Sequence, residues 1–283
     1  MVKIVGIGAN VHDTLITVSS FPKEDTKVGA EKIVVSGGGP CGTGLVAAHR
    51  LGENSAFIGN LADDTAGVFL KEDMEKRGMS CDFIDIKKGF SSFSSYVFLN
   101  RETSSRTCVF HRGNVPPLTL SENQKRAIED AEILMVDGNE LDAAIEGAMI
   151  AKEAGTKVLY DAGGLYDGIE KLLPLVDILI PSEEFALRFT GEENTESAAK
   201  KLYEMYCPEV VCITCGKKGG IILVGGGNGN CDSAYKTVVG IMKMINVTSF
   251  APLVKSHSTD TIPALNDQNA MESLLNLAEY LNI

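Results

Sequence analysis

Residues 32–78 read KIVVSGGGPCGTGLVAAHRLGENSAFIGNLADDTAGVFLKEDMEKRG, and the order of patterns in this stretch decides the fold. Lys32 to Val35 is an apolar β run that stops at Gly37-Gly38-Gly39. A helical pattern follows from about Thr43 to Leu51, and Gly52 closes it as the residue past the cap. Ser55 to Ile58 is a second strand, and Thr65 to Arg77 an amphipathic helix ending at Gly78. The same alternation recurs downstream. Strands are expected at Val2–Gly8, Ile133–Val136, Lys157–Tyr160, Ile178–Ile180, Val210–Thr214 and Ile221–Val224. Helices are expected at Glu140–Ala154, Gly168–Leu173, Glu183–Phe189, Thr195–Tyr206 and Glu272–Leu281. Repeated strand–helix–strand order predicts an α/β fold with a mostly parallel central sheet covered on both faces. Two β-rich stretches lack crossover helices, about 14–35 and 94–112. The second is a hairpin, Ser94–Leu99 and Arg106–Phe110 around the turn NRETSS. Together they predict a small antiparallel sheet set against the main one as a lid.

The 283 residues suit one large α/β domain, and residues 1–283 are read as such. Hydrophobic residues make up 44 % and charged residues 23 %, enough apolar surface to exclude disorder as the dominant state. A formal charge of −12, with 6 % aromatics and no Trp, excludes a phosphate-backbone or base-stacking surface, so no nucleic-acid partner is expected. No apolar run approaches the ~18 residues that span a bilayer, and MVKIVGIGANVHD lacks the pattern of a signal peptide. A cytoplasmic protein with no membrane partner is the simplest expectation. Seven Cys, an odd number in a large chain, do not read as a disulfide framework. Cys212 and Cys215 form a CxxC without the second pair that zinc needs, and read as packing residues at a strand end. No metal ligands are expected from the pattern. GGGNGN at 225–230 reads as a surface loop.

Three places put small residues or acids at strand ends. Ser36 to Gly44 lies between a strand and a helix, where glycines let a ligand approach backbone N–H groups, or simply allow a tight turn. Asp13 follows the first strand and suits hydrogen bonds to a polyol, although in isolation a turn-stabilising Asp is the stronger reading. Thr214-Cys-Gly-Lys-Lys-Gly-Gly220 follows the strand VVCIT and is either a phosphate-binding turn or, more simply, a hairpin.

Taken together, the chain resembles the ribokinase-like (PfkB) carbohydrate kinases. The resemblance rests on SGGGPCGTGLVAAHRLG and AFIGNLADDTAGVFL within 36–70, on ILMVDGNELDAA and KVLYDAGG within 133–164, and on LVDILIPSEEFALRFTG and VVCITCGKKGG within 175–220. It implies a three-layer sandwich and ATP-dependent phosphorylation of a sugar hydroxyl, with Mg²⁺ on the phosphates. Asp13 and Gly37, Gly38 and Gly39 would hold sugar hydroxyls, and Asp137 would be a substrate-facing acid. Asn100, Arg106 and His111 on the hairpin would close over the sugar. Ser182, Thr214 and Gly216 would line the ATP phosphates, with Lys255 to Ser258 near the adenine. An exposed edge of the lid sheet would allow a homodimer.

Three departures stand beside these matches. The family's Asn-x-x-Glu, linked to magnesium and phosphate, falls at Ser182-Glu-Glu-Phe185, where Ser replaces Asn and Phe replaces Glu. Gly42 stands where ribokinases carry Asn, so ribose itself is not required. The family's DTxGAGD segment, which supplies an anion hole and a catalytic Asp, has no counterpart near Val239, where the chain reads AYKTVVGIMKMINVTSFA. A loop and a helix of about 20 residues would be missing between Val239 and Ile241. The abrupt junction favours residues omitted from the sequence over a crippled enzyme, and no catalytic base is named. A nucleoside kinase of the same family, or a non-catalytic sugar- or nucleotide-binding relative, are the alternatives.

Overall fold

The computed structural model describes residues 2–215 and 221–224. Two compact units divide the chain, Met1–Ile222 and Leu223–Ile283; apart from Leu223 and Val224, every described residue lies in the first. The expected helix at Glu272–Leu281 falls outside the described residues.

Twelve strands and six α-helices are described. In chain order they are β1 (Ile4–Ile7), β2 (Val11–Val18), β3 (Lys32–Gly38), α1 (Pro40–Arg50), β4 (Ser55–Ala62), α2 (Thr65–Lys76) and β5 (Ile84–Lys87). Then come β6 (Ser94–Asn100), β7 (Ser105–His111), α3 (Glu122–Glu129), β8 (Ile133–Val136), α4 (Leu141–Ala154) and β9 (Lys157–Ala162). The rest are β10 (Ile178–Pro181), α5 (Glu183–Thr190), α6 (Thr195–Tyr206), β11 (Val210–Thr214) and β12 (Ile221–Val224). The main sheet runs β12-β11-β10-β9-β8-β1-β4-β5, and all its neighbours from β11 to β5 pair in parallel. A second sheet of four strands runs β3-β2-β6-β7. Within it β2 and β6 are parallel, while β2–β3 and β6–β7 are antiparallel.

Adjacent residues of β1 show why there are three layers. A Cβ on Gly6 would strike Cys41 and Leu45 of α1, whereas Ile7 meets Gly147 of α4. Successive strand side chains point to opposite faces. Hence α1 and α4 cover opposite sides of the sheet. Met74 of α2 joins Cys41, Leu45 and Phe57 in the core on the α1 side. Phe185 of α5 packs edge-on against Tyr160, which is level with Ile7 through Val136, so α5 belongs to the α4 side. From β1 the chain steps to β4 and β5 in one direction, and from β8 to β11 in the other. The reversal falls between β1 and β8, and crevices at such reversals lie beyond the strand carboxyl ends.

Two elements were not anticipated from the pattern. β5 is a short edge strand, and α3 is an eight-residue helix whose start is a capping box between Ser121 and Gln124. Helix α1 begins at Pro40 rather than Thr43, because Gly39 at φ 83° turns the chain and Pro40 can occupy the first helical position. The expected helix at Gly168–Leu173 is instead two 3₁₀ turns, Ile169–Lys171 and Leu173–Leu175, with Pro174 in the second. No helix among the described residues is long and apolar enough to cross a membrane.

Candidate active site

Asp13 does not sit in the turn after β1; it is the third residue of β2, in the small sheet. The register places Ser36 of β3 on one side of it and Ser95 of β6 on the other. The Ser95 hydroxyl donates to Asp13 Oδ1 at 2.6 Å, and a Cβ on Gly38 would overlap Oδ2. The second oxygen therefore lies against bare backbone, which is the physical reason for glycine at 38. Gly37 and Gly38 end β3, and Gly39 caps α1, where a Cβ would overlap the Ala9 carbonyl. Beside this turn is a pocket of about 180 Å³ between α1 and α2, lined by Asn10, Gly37, Thr43, Asp73 and Arg77.

Asp137 follows β8 and is 2 % exposed. Its Oδ2 accepts from the Ala9 N–H at 2.8 Å and the Cys41 N–H at 3.0 Å. Its Oδ1 accepts from Asn139 twice, from the backbone N–H and from Nδ2, both at 3.0 Å. Four N–H donors engage the carboxylate, which thereby joins the ends of β1 and β8 to the first turn of α1.

Asp161 occupies the equivalent place on β9, and its carboxylate accepts no hydrogen bond from the described residues. Burial, and then the neighbouring Asp137 charge, push its carboxyl up to about 6. Sequence reading passed over it, although KVLYDAGG carries the same strand-end acid as ILMVDGN. Ser95 was likewise missed; only the strand register brings it to Asp13.

The hairpin residues separate into two groups. Asn100 accepts from the Glu102 and Thr103 N–H groups at 3.0 and 3.4 Å, so its side chain organises the hairpin tip. It lies five residues beyond Ser95 on β6, about 16 Å at the ~3.3 Å rise of a strand. Arg106 is opposite Leu99, also toward that far end. The chain does not bring either to Asp13. His111 is opposite Ser94 at the near end, and its Nδ1 accepts from the Gly113 N–H at 3.2 Å.

Ser182 and Thr214 do meet, in a parallel bridge just past β10 and at the end of β11. The Ser182 hydroxyl caps α5 by accepting from the Phe185 N–H at 3.1 Å. Phe185 itself is 1 % exposed and stacks on Phe189 at 5.5 Å. The Phe that replaces the family's magnesium-linked Glu is thus part of the core, and Glu184 is paired with Arg188 at 2.9 Å. Among the described residues no three His, Cys, Asp or Glu gather as a metal cage. Phe185 cannot ligate a magnesium ion, and of the motif's carboxylates only Glu183 is exposed without an ion pair among the described residues. Gly216, Lys255 and Ser258 lie outside the described residues, as does the junction at Val239. The six described cysteines are free, and burial pushes the Cys212 thiol up to about 12, in keeping with a packing role for the CxxC.

Comparison with known proteins gives a consistent set of likenesses. Residues 1–240 match the pfkB family carbohydrate kinases, so the match ends at the Val239 junction. Ribokinase of Haemophilus influenzae is 25 % identical over 219 residues, covering 75 % of this chain and 72 % of that protein. The bifunctional ribokinase/ribose-5-phosphate isomerase A of Fructilactobacillus sanfranciscensis is 24 % identical over 226 residues, covering 77 % of this chain and 42 % of that protein. Among solved structures, the Arabidopsis thaliana ribokinase complexed with ribose and ATP superposes with a TM-score of 0.67 at 18 % identity, covering 98 % of this chain and 99 % of that one.

Proposed function

Since the chain belongs to the pfkB family of carbohydrate kinases, we propose that it transfers the γ-phosphoryl group of ATP to a hydroxyl of a small sugar or sugar-like alcohol. The observation that carries this reading is Asp13, with one oxygen held by the Ser95 hydroxyl and the other beside the bare backbone of Gly38. A carboxylate fixed in this way is an acceptor for a polyol hydroxyl, and Gly37, which lines the adjoining pocket without a side chain, would let the sugar approach the backbone. Ser182, Thr214 and Gly216 would line the phosphates, and Lys255 to Ser258 the adenine. In the reaction the sugar oxygen bonds to the γ-phosphorus, the bond from that phosphorus to the β–γ bridging oxygen breaks, and ADP leaves. The hydroxyl proton passes to a base, which we assign to the segment expected between Val239 and Ile241. Positioning supplies most of the rate in such transfers. No step is assigned to magnesium, because the motif linked to it is occupied by Phe185.

We also propose that two copies associate through the small sheet. Among the described residues β3 and β7 are its outer, unpaired strands, and Ile33 and Val109 are 62 % and 60 % exposed. Sedimentation at micromolar concentration tests this: a Val109→Lys variant should shift toward the monomer, and a wild-type protein already monomeric would refute it.

A panel of aldoses, ketoses, sugar acids and nucleosides with ATP, read by ADP release, tests the activity. Stimulation by at least one sugar is expected. Stimulation by nucleosides alone would select a nucleoside kinase, and none at all would select a non-catalytic binding protein.

A further inference from the structure

Arg112 leaves the end of β7 without reaching ion-pair contact with any described carboxylate; burial pushes the Glu140 carboxyl up, and the Arg112 charge draws it down against that rise. Its guanidinium lies over three rings, Phe93 at 5.6 Å, Phe110 at 5.9 Å and Tyr166 at 6.0 Å. Phe93 and Phe110 belong to the small sheet and its approach, whereas Tyr166 follows β9 of the main sheet. The same guanidinium donates to Asn139 Oδ1 at 2.9 Å. A planar, delocalised cation can cover ring faces and still donate in its own plane, which an ammonium cannot do.

Asn139 is bonded on its other side as well. Its Nδ2 and backbone N–H both donate to Asp137 Oδ1. Reversing the amide would break the bonds to Arg112 and Asp137 together, so both partners fix its orientation. Asp137 Oδ2 in turn accepts from Ala9 and Cys41. The Ala9 carbonyl accepts from the Gly42 N–H at 3.0 Å and touches Gly39. A continuous path therefore runs from the base of the small sheet, through one arginine, one amide and one carboxylate, to the glycine turn and the start of α1.

We infer that Arg112 is a positioning residue, which ties the placement of the small sheet to the geometry of the Gly37–Gly39 turn through Asn139 and Asp137. Asp13 rides on the small sheet, and the glycine turn is its neighbour. The tether holds both halves of the proposed sugar site in register. Its consequence for catalysis rests on the kinase reading above, but the tether itself does not.

The test uses Arg112→Ala, Asn139→Ala, their double variant and Arg112→Lys in the full chain. The first readout is amide exchange in the ligand-free protein. The Ala9 and Cys41 amides should exchange roughly three- to tenfold faster in either alanine variant, the size expected for cation–π contacts and local opening. The Val158 amide, bonded to Asp177 Oδ2 at 2.8 Å toward the other end of the neighbouring strand β9, should keep its protection and so report an intact fold. The double variant should show no further loss, because both residues act in one path. Arg112→Lys should fall between Arg112→Ala and the wild type, since an ammonium keeps the charge and one N–H but not the flat guanidinium face laid over the rings. The second readout is kinetic: the KM for the sugar should rise by the same factor while the KM for ATP holds. Unchanged exchange at Ala9 and Cys41 in both single alanine variants overturns the tether. A wild-type chain without kinase activity overturns the functional reading, and the exchange experiment still decides the tether.

Discussion

Asp13 and Asp161 are acids in different environments, and each makes its own prediction. Asp13 has one oxygen bonded to Ser95 and is expected to give the other to a sugar. Losing a hydrogen bond from an ionised group costs about 1.5–3 kcal/mol. Asp13→Ala should weaken sugar binding about ten- to a hundredfold while ATP binding stays nearly intact, measured by calorimetry. Unchanged sugar affinity would make Asp13 purely a sheet residue. Asp161 titrates near 6 in the folded protein, against 3.8 ordinarily. The folded state thus holds this proton more tightly than the unfolded chain. Its contribution is neutral below the unfolded value, turns unfavourable as pH rises from about 4 to about 6, and is fully unfavourable above that. Asp161→Asn should therefore stabilise the protein at pH 7.5 by up to about 3 kcal/mol and at pH 3.5 by almost nothing, read from urea midpoints. An equal gain at both pH values would contradict the assignment. The sequence displayed both acids as strand-end residues. What made Asp137 a fourfold acceptor was the arrival of Ala9 and Cys41 from distant segments beside the local donors of Asn139, whereas among the described residues none donates to the Asp161 carboxylate.

At the scale of elements, local rules account for most boundaries. Asp64 caps α2 by accepting from the Gly67 N–H at 2.8 Å, and also takes the Ser92 N–H and hydroxyl at 2.9 and 2.7 Å. Burial pushes its carboxyl up, but the donated hydrogen bonds outweigh this and leave it below the ordinary value. Asp64→Ala should cost about 1–2 kcal/mol, as cap losses do. That loss should shrink as pH falls below the ordinary carboxyl value, where wild-type Asp64 also becomes protonated. A substitution neutral at pH 7 in thermal melts would show that Ser92 can recruit another acceptor. Helices α4 and α6 and strands β8, β11 and β12 coincide with their sequence patterns to within a residue, because caps and apolar periods are local signals. β5 escaped notice because IDIK is only four residues long and gains its pairing from β4 alone. α3 escaped because few of its residues are apolar, and it is held by its cap and by the Gln124 bond to the Phe83 carbonyl at 2.9 Å.

For the whole molecule, the decisive quantity is its mass. A polypeptide carrying the missing loop and helix would be about 20 residues heavier, ~2 kDa above the 30.2 kDa of the present sequence. Intact-mass spectrometry showing that excess, with a new tryptic peptide after Lys236, would support an active kinase. A mass of 30.2 kDa would mean a true deletion, and the catalytic proposal would then fall. By itself the sequence determined the α/β class, the parallel order of strands and helices, and the family. These follow from periodicity, glycine placement and the spacing of blocks, all carried along the chain. Only the tertiary structure decided which residues share a site. Strand register set Ser95 against Asp13 and carried Asn100 and Arg106 to the opposite end of the small sheet. The reversal between β1 and β8 gathered Ala9, Cys41 and Asp137 at one point. Packing of Phe185 against Tyr160 made a core residue of a substitution the sequence already displayed. Register and sheet order are settled by contacts between segments tens of residues apart, so no local pattern in the sequence records them.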